Sequence, residues 1–578
     1  MAAFTPLVGY NNAGKSNILQ AVRWLVSPFA LAESDFHAPQ QPVAVEAHIA
    51  GITPALLEKL EAKHRARIEP LVMDGTLRMR RAMPVPGAPK SATLQLWDAN
   101  LQPEAGWANN PTGIPEAIKA LFPEPVVIGA MEDAAEDASK VKTSNTIGKL
   151  LAEFTGAMEQ AHAGQVATAL AALRASFDAN GSSRSAELQR FDAGATAVLN
   201  DFFPGVQLHL EIPVPDMTSL LKGGSLKVSE QAGLTRDFAS LGHGAQRSIQ
   251  MALIQYLAQV RDRGNGEDAS PAQRLLLIDE PELFLHPQAI EQVRIALQAL
   301  SGNGYQVLFT THSPLMIGRQ DVPATCIVRK GTDQRTHIAK RLSIVVNDLV
   351  ADPKSRMQTL MELKNSKDWL FADRVLLVEG KTERRVLPAL LKAVTGKGFS
   401  ERKLALIELD GAGAMAKCLD VLRALGIPCN GLADLDYILD KAQQAGQIKK
   451  DDQNLLVCLS QLASMAIINP HIKLGNNGRP RKSTETESGL KPAAVVRLWA
   501  ATSDGQATAQ DLALQVKAHG IWLWPAGDIE HHLGLLQKDE AAWAEFLEKL
   551  ETEDWQTVVA DVASVQDWVK WIESLENL

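Results

Sequence analysis

The chain is 578 residues long, 46% hydrophobic and 22% charged, enough for roughly three to four domains of a globular protein. A formal net charge of −9 excludes a surface that coats nucleic acid by general attraction, so a polyanion must meet local cationic patches or metal ions held on carboxylates. There is no uninterrupted apolar run of about 20 residues. The N-terminus lacks a signal peptide's basic and apolar regions, and the four cysteines, Cys326, Cys418, Cys429 and Cys458, show no C-x-x-C spacing. The expectation is a cytoplasmic protein with no membrane span.

In chain order, Phe4, Leu7 and Val8 read as a strand and Asn17 to Leu25 as an amphipathic helix. Between them Gly9-Tyr10-Asn11-Asn12-Ala13-Gly14-Lys15-Ser16 is a complete G-x-x-x-x-G-K-S phosphate cradle. Its glycines let successive N–H groups turn toward phosphate oxygens, with Lys15 reaching the β- and γ-phosphates and Ser16 offering its hydroxyl to a divalent cation. A nucleoside triphosphate is the expected ligand. Thr76 to Trp97 alternates and carries Arg78, Arg80 and Arg81, which suits strands that extend the same sheet. Met131 to Asn200, rich in Ala, Glu, Leu and Gln, reads as helices forming either an arm with a dimerisation role or an ordinary bundle.

Leu241 to Ser248 follows, with Gly242 and Gly244 ahead of an apolar helix and Gln246 beside them. Exposed N–H groups at such a helix start suit an anion, although a plain loop entering a helix reads the same way. The apolar run Leu275 to Ile278 ends in Asp279-Glu280-Pro281-Glu282, a buried strand presenting acids at its carboxyl end. Asp279 would hold the cation through water, and Glu280 would orient or deprotonate an attacking water. Val307 to Thr311 repeats the device and delivers His312 toward a γ-phosphate.

This succession resembles the ABC-type ATPase heads of SMC and DNA-repair proteins. The resemblance implies ATP sandwiched between two heads, with the Gly242, Gly244 and Gln246 segment of one copy facing the phosphate loop of another. A homodimer or higher homo-oligomer follows from it.

Beyond Trp369 a second α/β pattern begins. Val375 to Val378 is a buried strand ending in Glu379-Gly380, and Glu383 lies in the helix that starts near Thr382. Leu404 to Leu409 ends at Asp410-Gly411-Ala412-Gly413, and Ile427 to Leu435 reads as a strand delivering Asp434 and Asp436 to one side. After Ile521 to Pro525 come Asp528 and Glu530, either a second metal site or a capped helix start. Hard oxygen ligands at the carboxyl edge of a parallel sheet suit Mg²⁺ or Mn²⁺.

The Val378-Glu379-Gly380, Glu383 and Asp434-Leu435-Asp436 pattern resembles the TOPRIM domain of topoisomerases, primases and some nucleases. An SMC-like head joined to a C-terminal TOPRIM domain resembles in turn the OLD (overcoming lysogenization defect) nucleases, which include the Gabija-type defence ATPases. The implied α/β architecture is an ABC/SMC-type head (1–130 and 204–350) with an inserted helical arm (131–203), a Rossmann-like TOPRIM domain (368–535) and C-terminal helices (536–578). The implied activity is ATP hydrolysis joined to DNA nicking or cleavage on two metals. Glu280, His312, Glu379 and Asp434 would be catalytic, and Ser16, Asp279, Glu379, Glu383, Asp434, Asp436, Asp528 and Glu530 would bind metal. A C-terminal lysine is also implied, with Lys538, Lys549 and Lys570 as candidates. Family members begin with a strand and a Phe-Arg segment ahead of the phosphate loop; its lack implies a start further upstream or an incomplete head.

Lys473, Arg479, Arg481 and Lys482 cluster among loop-forming residues and are expected to contact a DNA backbone. The Trp-rich tail from Trp543 to Trp571 reads as helices packing on the TOPRIM domain. A topoisomerase would need a tyrosine nucleophile and a breakage domain, and a primase a zinc site, so a nuclease is the best reading. The alternative is an ATP-driven DNA clamp or repair protein without nuclease activity. A helicase-like partner and a role in phage defence or DNA processing are family-level implications.

Overall fold

The computed structural model describes residues 1–38, 41–58, 60–98, 106–109, 114–122, 125–129, 162, 164–201, 203–214, 226–229, 233–263, 274–331, 333–481 and 489–575. They fall into two compact units, one of Met1–Thr5 with Lys15–Met316, the other of Pro6–Gly14 with Ile317–Leu578. Strand β1 (Phe4–Val8) is divided between them.

In the first unit, β2 (Val43–Ala50), β3 (Thr76–Met83), β4 (Thr93–Trp97) and β5 (Trp107–Asn109) form an antiparallel sheet in that order. The alternation read at Thr76 to Trp97 is real, but these strands form a sheet of their own instead of extending that of the phosphate loop. One-sided alternation explains this: Leu77, Met79, Leu94 and Leu96 pack with Ile114 and Ile118 of the helix Ile114–Leu121, whereas a central parallel strand must be apolar on both faces. On the other face Arg78 stacks on Trp97 and Arg80 on Trp107, with ring distances of 4.4 and 4.8 Å. Arg81 points the opposite way, buried, donating to the Leu25 carbonyl at 2.8 Å.

The parallel strands of this unit are β6 (Val126–Ile128), β9 (Arg274–Ile278) and β10 (Tyr305–Thr310), with a small hairpin, β7 (Lys227–Ser229) and β8 (Thr235–Asp237), between them in sequence. β10 and β6 flank β9 in parallel. The start of β1 lies beyond β10, where the Ala3 carbonyl accepts from Val307 N–H at 2.7 Å. Leu276, Ile278, Val307 and Phe309 are buried against the helices His243–Arg263 and Pro287–Gly302. Of the expected arm, residues 131–161, 163 and 202 lie outside the described residues, while 164–177 and Ala186–Asn200 are helical.

In the second unit, Leu7 and Val8 pair in parallel with Cys326 and Ile327 of β11 (Cys326–Lys330), which turns back as β12 (Thr336–Ile338). A second sheet holds β13 (Arg374–Val378), β14 (Leu404–Glu408), β15 (Cys429–Ala433) and β16 (Ile521–Leu523), all parallel, in the order β14–β13–β15–β16. β13 shows why such a strand is an unbroken apolar run. Val375 and Leu377 enter one core, with Leu419, Leu422 and Trp499, while Leu376 and Val378 enter another, with Leu390, Trp524 and Trp568. Each of these fully buried side chains contributes about 1.5–3 kcal/mol. The helices Glu540–Thr552 and Val562–Leu575 pack into the second core, as the Trp-rich tail indicated. Among the described residues no helix is long and apolar enough to cross a membrane.

Candidate active sites

The first cluster stands at the carboxyl ends of β9 and β10. Asp279 Oδ1 accepts from Ser16 Oγ at 3.0 Å and from Thr310 Oγ1. His312 Nε2 lies 2.9 Å from Lys15 Nζ and 3.3 Å from a Glu280 carboxylate oxygen. Glu282 Oε1 accepts from both Thr311 Oγ1 and the His312 backbone N–H at 2.7 Å, which fixes the path of the histidine-bearing loop. Burial pushes the Glu282 carboxyl above its usual range. Burial likewise holds the Lys15 ammonium low, against the pull of Glu280, Asp279 and Glu282. Glu280 has φ +47, a conformation unfavourable for a side-chain-bearing residue, and it is braced on both sides. Its N–H donates to Thr310 Oγ1 at 3.0 Å, and its carbonyl accepts from Arg247 Nη2 at 2.8 Å.

Arg247 lies in the helix His243–Arg263, which Gly242 precedes and whose first turn contains Gly244, and it also holds the Asp279 and Gly129 carbonyls at 2.9 and 3.0 Å. Gly242 is exposed, while the Gln246 side chain is buried and donates to the Phe238 carbonyl at 3.2 Å. The segment is thus a helix start whose open side is glycine backbone. Gly9, Asn11, Asn12 and Gly14 belong to the second unit and lead directly into Lys15 and Ser16.

The second cluster caps the β14–β13–β15–β16 sheet. Glu379 follows β13 and Asp434 follows β15; the Asp434 N–H faces Glu379 Oε2 at 3.5 Å, and Asp434 Oδ1 accepts from Ile529 N–H at 3.1 Å. The strand expected to run to Leu435 ends at Ala433. Asp436 instead sits in the 3₁₀ turn Leu435–Leu439, so a turn and not strand alternation sets its direction. Asp528 caps the helix Ile529–Leu533 through the His531 N–H at 3.2 Å, so the capped helix start is realised, yet its other oxygen lies 3.8 Å from Lys538 Nζ. Glu530 accepts from Thr382 Oγ1 at 2.6 Å and pairs with Lys538 at 2.7 Å. Lys538 also stands 4.0 Å from Asp434, which separates it from Lys549 and Lys570, engaged with Glu545 and Asp567.

Burial, then the charge of Asp436, pushes Glu379 up to about 7. Burial, then Glu379 and Glu530, pushes Glu383 up to about 7. Asp434 and Asp436 are raised as well, first by burial. Burial works downward on Lys538, but its bond to Glu530 and the charges of Asp434, Glu530 and Asp528 hold it above its usual value. Negative charge this crowded and this dry is what a hard cation offsets, and carboxylate oxygens are its preferred donors. Among the described residues no three acidic, His or Cys side chains stand preassembled as metal ligands.

The acids at β16 have a support that the sequence did not announce. His532 is fully buried; its Nε2 accepts the Ala526 N–H at 3.1 Å, and its Nδ1 pairs with Asp561 Oδ2 at 2.8 Å. A lone histidine after Glu530 and an aspartate capping the last helix carry no distinguishing signal. Together they pin the turn before Asp528 and the helix bearing Glu530. Arg479, expected at a DNA backbone, is instead held by Asp440 at 3.0 Å and by Gln443, and Lys482 lies outside the described residues. Tyr437 is buried and its hydroxyl is pushed up to about 12 by burial, which suits no exposed nucleophile.

Residues 370–436 match the family described as "Overcoming lysogenization defect protein-like, TOPRIM domain", and residues 142–318 match "AAA domain, putative AbiEii toxin, Type IV TA system". The chain is 34% identical to the Old nuclease of Escherichia phage P2, covering 98% of this chain and 96% of that one. It is 26% identical to the OLD nuclease of Thermus scotoductus over 39% of this chain and 41% of that one. Among solved structures, an SMC head bound to the C-winged helix domain of ScpA aligns loosely, at 13% identity and a TM-score of 0.33, over 58% of this chain and 89% of that one.

Two outcomes follow. Asp561→Asn, which keeps a capping oxygen, and His532→Phe should each weaken Mn²⁺ binding by about 10- to 100-fold in calorimetric titration; unchanged affinity would remove the positioning role. In chelator-treated protein, Glu379 and Glu383 hold protons up to about pH 7 when folded, against an ordinary value of 4.5. The unfolded chain therefore binds fewer protons between those limits, and stability should fall as pH rises through that window. Thermal melts across pH check this, and the Glu379→Gln, Glu383→Gln double variant should flatten the profile.

Proposed function

As a member of the OLD nuclease family, by its 34% identity across 98% of its length with the phage P2 protein, the chain is an ATPase linked to a nuclease, and we propose which residues serve each centre. Gly9, Asn11, Asn12 and Gly14 cradle the phosphates of ATP, Lys15 meets the β- and γ-phosphates, and Ser16 with Asp279 holds the accompanying cation. Glu280 orients the attacking water, His312 contacts the γ-phosphate, and Glu282 keeps His312 in place. Gly242 and Gly244 offer helix-start N–H groups to the nucleotide of a second copy, which makes the working form a homodimer or higher homo-oligomer. The inward side chain of Gln246 supports that backbone shape.

In the second centre Glu379, Glu383, Asp434, Asp436, Asp528 and Glu530 hold divalent ions, Mg²⁺ or Mn²⁺, with Glu379 and Asp434 nearest the chemistry. Bound there, such ions activate water and neutralise the charge developing on a phosphodiester. Lys538 adds a fixed cation beside the scissile phosphate, and His532 with Asp561 holds the β16 acids steady. The carrying observation is Lys538 within 4.0 Å of Glu530, Asp528 and Asp434 at the sheet edge that also bears Glu379. DNA is the substrate, engaged through its backbone, with Lys473 and Lys482 as loop cations beside Arg481. The boundaries 1–130, 131–203, 204–350, 368–535 and 536–578 describe this division. Phage defence or DNA processing, a helicase-like partner and a cytoplasmic setting complete the proposal on family resemblance.

Supercoiled plasmid incubated with Mg²⁺ or Mn²⁺ tests it. Glu379→Ala should lower nicking on the order of 100-fold or more by removing a ligand, while Lys15→Ala should abolish ATP turnover and leave the metal-dependent cut in place. Cleavage intact in Glu379→Ala would reject the site, and no cleavage by any form would favour an ATP-driven clamp.

A further inference from the structure

The β11–β12 hairpin touches both centres' supports, and all of the contacts lie inside the second compact unit. At one end it grips the phosphate loop. Gly9 lies so close to β11 that a Cβ there would collide with the Val328 carbonyl, and Gly14, at φ +96, faces the Thr336 side chain just as tightly. Thr336 Oγ1 also donates to the Ala13 carbonyl at 2.9 Å. The loop is therefore held at its first and last glycines by one hairpin.

On the rung between those two contacts the same hairpin also holds the acid-bearing sheet. Arg329 is the neighbour of Val328 and pairs across the hairpin with His337, beside Thr336. Its guanidinium donates to the Gly426 carbonyl at 2.8 Å and to the Ala372 carbonyl at 3.4 Å. Ala372 precedes β13 and Gly426 precedes β15, the neighbouring strands that end at Glu379 and Asp434. The planar fork thus bridges the starts of two parallel rods whose far ends carry the metal-binding acids. The packing is continuous as well, since Val8 and Ile327 share one hydrophobic core with Val375 and Leu377.

We propose that this hairpin couples nucleotide occupancy of the Gly9–Gly14 loop to the geometry of the acid cluster, with Arg329 as the positioning residue. The proposal rests on the two centres assigned above and adds the route between them. A nucleotide that reshapes the loop must displace Val328 and Thr336, and Arg329 passes the displacement to the strand starts. Shifts well under 1 Å at metal-bearing side chains suffice to change a rate. By linkage the effect runs both ways, so DNA at the acid cluster must change nucleotide affinity by the same factor.

The test reads that factor without requiring cleavage. The affinity of the full-length protein for a fluorescent, non-hydrolysable ATP analogue is measured in Ca²⁺ with and without a duplex oligonucleotide. Wild type should show a ratio of about 5-fold or more. Arg329→Ala should bring the ratio below about 2-fold while binding the analogue alone within about 3-fold of wild type, and Arg329→Lys, which keeps one donor, should restore part of it. Thr336→Val, one rung from Arg329 on the phosphate-loop side, should also bring the ratio below about 2-fold and carries the test alone if Arg329→Ala does not fold. Variants that retain the wild-type ratio overturn the proposal, and so does a wild-type ratio of one. Plasmid nicking by wild type in that last case would leave the two centres standing without the link.

Discussion

Negative charge held away from water is the constraint around which the C-terminal half is organised. Two like charges about 4 Å apart repel by about 4 kcal/mol at the effective dielectric of a protein, a large share of the roughly 5–15 kcal/mol by which a domain is stable. The crowded carboxylates therefore cannot all stay ionised without a counter-charge. Glu379 and Glu383 respond by holding protons toward neutrality, and Lys538 reaches in among Glu530, Asp528 and Asp434. What tolerates the remainder is apolar burial on both faces of β13 and β15, which fixes the strands from which the acids project.

The cluster around Lys15 answers a similar demand with the opposite balance. There one partly buried cation, Lys15, stands among Glu280, Asp279 and Glu282, and a histidine shares it. Its strained residue, Glu280, is stabilised by bonds to its own backbone from Thr310 and Arg247. Both centres thus put charged groups immediately after a parallel strand, where the sheet ends and the chain turns, and both hold the turn by side chains drawn from distant segments.

That placement explains what the sequence disclosed. Strands ending in acids are legible because burial on two faces demands unbroken apolar runs, and Glu379 and Asp279 stand where such runs stop. Turns after those strands are less legible: Asp436 takes its direction from a 3₁₀ turn that no periodicity marks. Thr76 to Trp97 was readable as strands, but not which sheet they join, since alternation tells only that one face is buried. Residues that act by reaching across the fold carry no local signal. Spacing could not choose Lys538 over Lys549, nor reveal that His532 meets Asp561 or that Arg329 meets Ala372 and Gly426. Arg479 was misleading because a loop rich in Gly, Asn and Pro looks mobile, whereas its guanidinium is spent on Asp440.

The discontinuity of the second unit has a practical side. A fragment cut to begin at Ile317 would retain every acid of the sheet β14–β13–β15–β16 yet lose the stretch Pro6–Gly14 that belongs to the same body. Cys326 and Ile327 would be left as a bare strand edge without Leu7 and Val8, and the core would have a gap where Val8 sits. Naked edges of that kind recruit other chains and aggregate.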